Sequence, residues 1–238
     1  GAREMALLFE AGVKRVAGWA SPRVAVVATG SEITQEADGL SSGFRRCSNA
    51  SYIAALMSRI GVTDIRTIVV PDDIRQLTRT LVELDAVCDV IITVGGTGKG
   101  KRDYTRQAVS DAGGVFVGHD TQLDSPFVTA RLPHAGLIGL PGNPLAVMMI
   151  VQCVLLESVR SVFHLPEAPA QTVEAVMTED IEAGICGELC VNVNESAAKP
   201  LIKGTGRMRV FDSARGFVRL NGQGIKRGER VRVELFRN

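Results

Sequence analysis

The sequence predicts a doubly wound α/β domain built on a mostly parallel sheet, followed by a small all-β, barrel-like domain. Three observations carry this expectation. Short apolar runs with strand character alternate with helical segments from Arg23 to Phe163. Those runs are apolar on both faces, as the strands of a parallel sheet must be when helices cover it on two sides. After a short Pro166 to Pro169 linker, the pattern changes to brief alternating strands punctuated by glycine.

The elements follow in order. Met5 to Trp19 places apolar residues at helical spacing up to a break at Gly12, so residues 1–20 are expected to form a helix leading in from an upstream portion. The α/β domain is expected over 21–165. Val24 to Ala28 is an unbroken apolar strand ending in Thr29-Gly30, and Ala50 to Ile60 is a helix closed by Gly61. Ile65 to Val70 is a strand stopped by Pro71, and a helix runs from about Asp73 to Leu84. Asp89 to Val94 is a strand ending in Gly95-Gly96, and Thr105 to Ala112 is a helix ended by Gly113-Gly114. Val115 to Val117 and Gly136 to Leu140 supply two more strands, and Leu145 to Phe163 one long helix. Crossovers between parallel strands should be right-handed. The β domain is expected over 172–238, with strands at Thr172 to Thr178, Leu189 to Val193, Leu201, Met208 to Phe211, Phe217 to Leu220 and Val231 to Phe236, and a hairpin signal at Asn221-Gly222. At this size it should lean on its neighbour for stability.

Composition narrows the function classes. With 45% hydrophobic and 22% charged residues and a net charge of +1, the chain has no bulk electrostatic draw toward nucleic acid or an acidic membrane. No apolar run approaches the roughly 18 residues that cross a bilayer. The basic clusters Arg45-Arg46 and Lys99 to Arg102 are too short for a polyanion stripe and suit solvated loops. Five cysteines without framework spacing point to a reducing, cytoplasmic setting; Cys186 and Cys190 lack the second pair that a zinc site needs. His119 and His134 are expected near the same rim, neither with a carboxylate or serine in a triad-like setting, and no G-x-S-x-G motif supports covalent catalysis.

In an open parallel sheet, ligands bind beyond the carboxyl ends of the strands. The strand tails here are Thr29-Gly30-Ser31-Glu32, Pro71-Asp72-Asp73, Gly95-Gly96-Thr97-Gly98 and Pro141-Gly142-Asn143-Pro144, and all four should meet at one cleft. Gly95 to Gly100 holds four glycines in six residues, which serves either a tight turn or a backbone cradle for an anion. Asn143-Pro144 is an ordinary capped helix start or a phosphate seat. Glu32, Asp72, Asp73 and Asp103 supply carboxylates from three loops, suited to Mg²⁺ opposite phosphate oxygens, while Asp72-Asp73 also suits a helix N-cap.

Those elements, with Ser48-Asn49 and Arg102-Asp103-Tyr104-Thr105, occur in an order that resembles the molybdopterin-binding domain of molybdopterin molybdotransferases (MoeA type), molybdopterin adenylyltransferases (MogA type) and gephyrin. The Gly139 to Pro144 element and the β-rich tail look specifically like the molybdotransferase C-terminal part. The resemblance implies a ligand, molybdopterin or adenylyl-molybdopterin, and Mg²⁺-assisted hydrolysis of its AMP group with insertion of molybdate. Glu32, Asp72 and Asp103 match the family's acidic catalytic and metal residues. Thr97, Gly98 and Gly100, continuing Gly95 and Gly96, match the loop for the pterin phosphate; Pro141 and Pro144, with Gly142 and Asn143, match the site wall; Thr29, Gly30, Ser31, Ser48 and Asn49 complete it. The resemblance also implies a homo-oligomer, a dimer or trimer. The family's Thr-Gly-Asp-Glu is Thr29-Gly30-Ser31-Glu32 here, its Asp-Ser-Asn is Cys47-Ser48-Asn49, and its Lys-Pro-Gly-Lys-Pro corresponds to Gln122 to Pro126. The last change removes two lysines that would face anionic groups, and each loss weakens anion binding by roughly 1 kcal/mol or more. Ligand binding is therefore better supported than molybdate insertion. A non-catalytic carrier, an adenylyltransferase and an assembly scaffold are the competing readings.

Overall fold

The computed structural model describes residues 2–34, 45–96, 104–118, 127–165, 170–201 and 212–237. A leading helix, α1 (Ala2–Glu10), ends at Gly12, whose φ of +73° an L residue rarely adopts. The chain then enters a layered unit: β1 (Arg23–Thr29), β2 (Ile33–Thr34), β3 (Arg45–Arg46), α2 (Ser48–Arg59), β4 (Asp64–Val70), α3 (Ile74–Asp85), β5 (Val90–Val94), α4 (Tyr104–Asp111), β6 (Val115–Gly118), β7 (Val128–Arg131), β8 (Gly136–Leu140), α5 (Pro144–Ile150) and α6 (Leu156–Val162). A π-helical turn, Val151–Leu155, joins α5 to α6. The sheet runs β4-β1-β5-β8-β7-β6, and its first four strands are parallel.

The strands are apolar on both faces because both faces are core. Along β1, Val24, Val26 and Ala28 join one buried cluster while Ala25 and Val27 join the other. The first cluster is closed by Ile53, Leu56 and Met57 of α2 and by Val147, Ile150 and Leu156 from the last helix. The second is closed by Leu77, Leu81 and Leu84 of α3 and by Ala108 and Val109 of α4. Burying one such leucine contributes about 1.5–3 kcal/mol. Two-residue alternation on the strands and three-to-four-residue spacing on the helices thus meet on the same surfaces.

Several expectations are corrected. Strand β7 was not foreseen; it is antiparallel to both β6 and β8, which is why the sheet is only mostly parallel. The 19-residue helical rod Pro144–Val162 has a mean hydropathy of 1.8, long and apolar enough by those criteria to cross a bilayer, contrary to the expectation that nothing in the chain came close. Half of that window is buried inside the fold, where one side lies on the sheet and another on the barrel. The rod is not uniform, because the π turn places Gln152 where it donates to the Tyr52 hydroxyl at 3.0 Å and exchanges two hydrogen bonds with the Arg237 backbone.

Beyond the rod lie β9 (Thr172–Met177), β10 (Cys186–Asn194), β11 (Ala197–Pro200), β12 (Gly216–Asn221) and β13 (Arg230–Leu235), closed into a barrel in the order β10-β11-β9-β13-β12. Closure removes the sheet edges that a small β unit would otherwise expose. The barrel has its own core around Met177, Val191, Val218 and Val233. A separate cluster presses Met148 and Met149 against Cys190, Phe217 and Phe236, so the barrel does lean on the helix. Asn221-Gly222 is not a two-residue hairpin: the Asn221 side chain accepts from the Gln223 amide, and the chain enters β13 only at Arg230. The tight connection is Glu195-Ser196 between β10 and β11, with Glu195 at φ +52°. The expected strand at Met208 to Phe211 lies outside the described residues.

Candidate functional site

The tails of β1, β4, β5 and β8 form one continuous rim. Gly30 donates its amide to the Val70 carbonyl, joining the β1 and β4 tails. Ser31 and Asp72 bind reciprocally: the Asp72 amide donates to the Ser31 hydroxyl at 3.2 Å, and the Ser31 amide donates to Asp72 Oδ2 at 3.4 Å. Ser31 therefore has a positive task in locking two loops together. Gly95 packs against Thr29 so closely that a Cβ there would lie 2.7 Å from its Oγ1 and 2.9 Å from its carbonyl oxygen. Gly95 and Gly96 take φ of +99° and +67°, which glycine alone adopts readily. Gly142 lies against Gly95, and its carbonyl accepts from Asn49 Nδ2 at 3.1 Å.

Thr29, Gly30, Ser31, Glu32, Ser48, Asn49, Asp72, Gly95, Gly96, Pro141, Gly142, Asn143 and Pro144 all lie on this rim or in the first turn of a helix that starts there. Glu32 folds back over Gly30, with its Oε2 3.1 Å from where a Gly30 Cβ would stand. Thr97, Gly98, Gly100 and Asp103 lie outside the described residues, as do His119 and the Gln122 to Pro126 segment.

Two of the open alternatives close. Asp73 caps α3 by accepting from the Gln76 amide at 2.9 Å, so of the Asp72-Asp73 pair Asp73 serves the helix and Asp72 the rim. Asn143 caps α5 by accepting from Leu145 and Ala146, and Pro144 has no amide hydrogen. That helix start has spent its first donors and makes a poor phosphate seat, contrary to one of the two readings offered for it.

Sequence reasoning missed two features. Thr105 is fully buried and donates its hydroxyl to the Gly95 carbonyl, tying the far end of the glycine loop back to its start. The sign was present in the threonine that opens the helix after the loop. The second is the start of α2. Cys47 there gives no side-chain cap, and burial pushes its thiol above its ordinary value, so it stays neutral. In the same turn Asn49 Oδ1 is buried without a hydrogen-bond partner among the described residues.

The opposite rim is structural. Asp89 binds Arg23 through both carboxylate oxygens, and the arginine holds its carboxyl below the ordinary value. His134 lies on this rim, not on the functional one, and it does have a carboxylate: Asp85 Oδ2 is 2.9 Å from its Nδ1. Asp85 also accepts from the His134 and Ala135 amides, so the pair pins the β7–β8 turn.

A family of probable molybdopterin binding domains matches residues 25–161. The chain belongs to that family. Among curated relatives, the molybdopterin molybdenumtransferase of Haemophilus influenzae is 26% identical over 144 residues, covering 60% of this chain and 36% of its own length. That of Nostoc sp. is 30% identical over 153 residues, covering 62% and 35%. The molybdenum cofactor synthesis protein cinnamon of Drosophila melanogaster is 28% identical over 143 residues, covering 58% and 24%. The chain thus matches about a third or less of each of these relatives. A molybdopterin biosynthesis MoeA structure from Pyrococcus horikoshii superposes with a TM-score of 0.85 at 23% identity, over 100% of this chain and 60% of its own. At that identity the likeness is one of fold, and it extends through the barrel as well as the molybdopterin-binding domain.

Proposed function

We propose that this member of the molybdopterin-binding domain family binds molybdopterin or adenylyl-molybdopterin at the four-loop rim, and that it serves a molybdotransferase-type step of cofactor assembly. The observation that carries the reading is the convergence of the β1, β4, β5 and β8 tails, which sets Glu32 and Asp72 beside bare glycine backbone and the uncapped start of α2. Glycine amides and a helix N-terminus suit phosphate oxygens.

The donor set fits a hard cation. Glu32 and Asp72 are carboxylates on adjoining loops, and Mg²⁺ commonly takes one or two carboxylates together with substrate phosphates and waters. Among the described residues no group of three or more metal-ligating side chains forms; the third carboxylate of this reading, Asp103, comes from the family resemblance and lies outside the described residues. When bound, the ion supplies charge neutralisation at a pyrophosphate. The protein's own part is orientation: Ser31 fixes the Asp72 backbone, Thr105 fixes the glycine loop, and Asn49 fixes the wall at Gly142. Molybdate is the substrate of the insertion step. The five cysteines are all unpaired, which supports a cytoplasmic setting, and a dimer or trimer belongs to the same reading.

Titration calorimetry with molybdopterin and its adenylylated form, with and without Mg²⁺, tests the binding. Asp103→Ala should abolish Mg²⁺-dependent release of AMP while leaving the thermal melt unchanged; undiminished turnover rejects the role. A second reading, a carrier without chemistry, is favoured by Ser31 standing where the family has a carboxylate. Tight binding without AMP release would establish it.

A further inference from the structure

A cavity of about 620 Å³ lies between the helical layer and the barrel. Leu56 of α2, Ile60 at the C-cap of that helix, Leu156 of α6, and Val173, Leu235 and Phe236 from the barrel side give it an apolar wall. Four arginines line it too: Arg59, Arg160, Arg215 and Arg237. Asn49 marks the rim end of α2 and Arg59 its other end. At about 1.5 Å per residue the two are roughly 15 Å apart, so this is a different place from the four-loop rim.

Arg160 is the unusual member. Its side chain is only 10% exposed, and its Nε and Nη1 make no hydrogen bond among the described residues. Its Nη1 stands 3.5 Å from Glu157 Oε1, an oxygen already taken by Arg237. Basic residues in the last turns of α2 and α6 suit the negative ends of those helices, which accounts for Arg59 and Arg160. It does not account for Arg215 and Arg237 arriving from the other side. Among the described residues two carboxylates stand beside these four arginines: Glu195 on the lining, and Glu157, which Arg160 and Arg237 share. A buried guanidinium with unused donors is costly unless an oxyanion completes it, and its planar fork suits carboxylate or phosphate.

We propose that this cavity binds a small amphipathic anion. The apolar body lies on Leu56, Ile60, Leu156 and Phe236, and a single carboxylate or phosphate group meets the arginines, Arg160 foremost. The volume is in the range of small-molecule sites. This goes beyond the rim reading and does not depend on it.

Titration calorimetry with phenyl phosphate, phenylacetate and neutral benzyl alcohol tests the proposal on the whole chain. One or both anions should bind and benzyl alcohol should bind at least tenfold more weakly; which anion prevails identifies the head group. Arg160→Gln should weaken anion binding at least tenfold. Arg215→Gln, at an exposed position that no core packing depends on, should weaken it several-fold and keeps the test available if the first variant folds poorly. Asn49→Ala, at the rim, should leave it unchanged. Absence of binding, equal binding of the neutral probe, full affinity in Arg215→Gln, or loss of binding in Asn49→Ala would each overturn it.

Discussion

Replacing Gly95 by alanine probes the contact on which the rim depends. Two costs add. An L residue at φ +99° is strained by roughly 1–2 kcal/mol. The new Cβ would also lie 2.9 Å from the Thr29 carbonyl oxygen, a backbone atom that cannot swing aside, so the β1 and β5 tails must separate. Overpacking of that kind costs about 1–3 kcal/mol, giving about 2–5 kcal/mol in all. Gly61 provides the control: its φ is +100°, but nothing lies within 4 Å of its would-be Cβ. Gly61→Ala should cost the strain alone, about 1–2 kcal/mol, and the loss of unfolded-chain entropy is common to both variants. With a urea slope near the upper end of about 1–3 kcal/mol/M, the midpoint should fall by roughly 1–2 M for Gly95→Ala and by less than about 1 M for Gly61→Ala. Gly95→Ala should in addition weaken molybdopterin binding, and Gly61→Ala should not. Equal midpoints for the two variants would refute the close approach and the site geometry built on it.

Two further outcomes follow from the titratable groups. Burial raises the Asp85 carboxyl, but hydrogen bonds from His134 and Ala135 outweigh it and hold the group below its ordinary value of 3.8. Its stabilisation is therefore fully present above the unfolded value and lost as pH falls through the lower folded one. Asp85→Asn should cost about 1.5–3 kcal/mol at neutral pH in urea melts, and the gap to the parent should close below about pH 4; a gap constant with pH would refute the ionic role. Burial pushes the Tyr52 phenol up to about 12. Ultraviolet titration of the folded protein should leave one tyrosine un-ionised well past the ordinary value near 10, and complete ionisation there would contradict its packing beneath Gln152.

Much of the architecture was legible because it rests on local signals. Mostly apolar β1, β4, β5 and β8, each followed by a helix that buries an apolar face (Ile53 and Met57 of α2, Leu77 and Leu81 of α3, Ala108 and Val109 of α4, Val147 and Ile150 of α5), admit few arrangements other than a covered parallel sheet. The rule that ligands bind beyond strand carboxyl ends singled out four loops, and the described parts of those loops do lie together at one rim. Strand β7 was illegible because Val128 to Arg131 is only four residues long and alternates Val and Ala with Thr and Arg, too short a pattern to mark a strand. His134 was assigned to the wrong rim because its turn leads into the start of a strand, and only the β7–β8 pairing shows which end that is. Asn221-Gly222 misled because the dipeptide suits an Asx turn as well as a hairpin.

Hydrophobic periodicity, glycine placement and the order of the loop motifs, all properties of neighbouring residues, determined the fold class, the two-part organisation and the identity of the rim loops. What only the tertiary structure decided are pairings between residues far apart in the chain: Ser31 with Asp72, Asn49 with Gly142, Thr105 with Gly95, and Gln152 with Arg237. A polar side chain carries no local mark of its partner. Its partner is set by which backbone groups the packed layers leave unsatisfied, and that is known only once the layers have met.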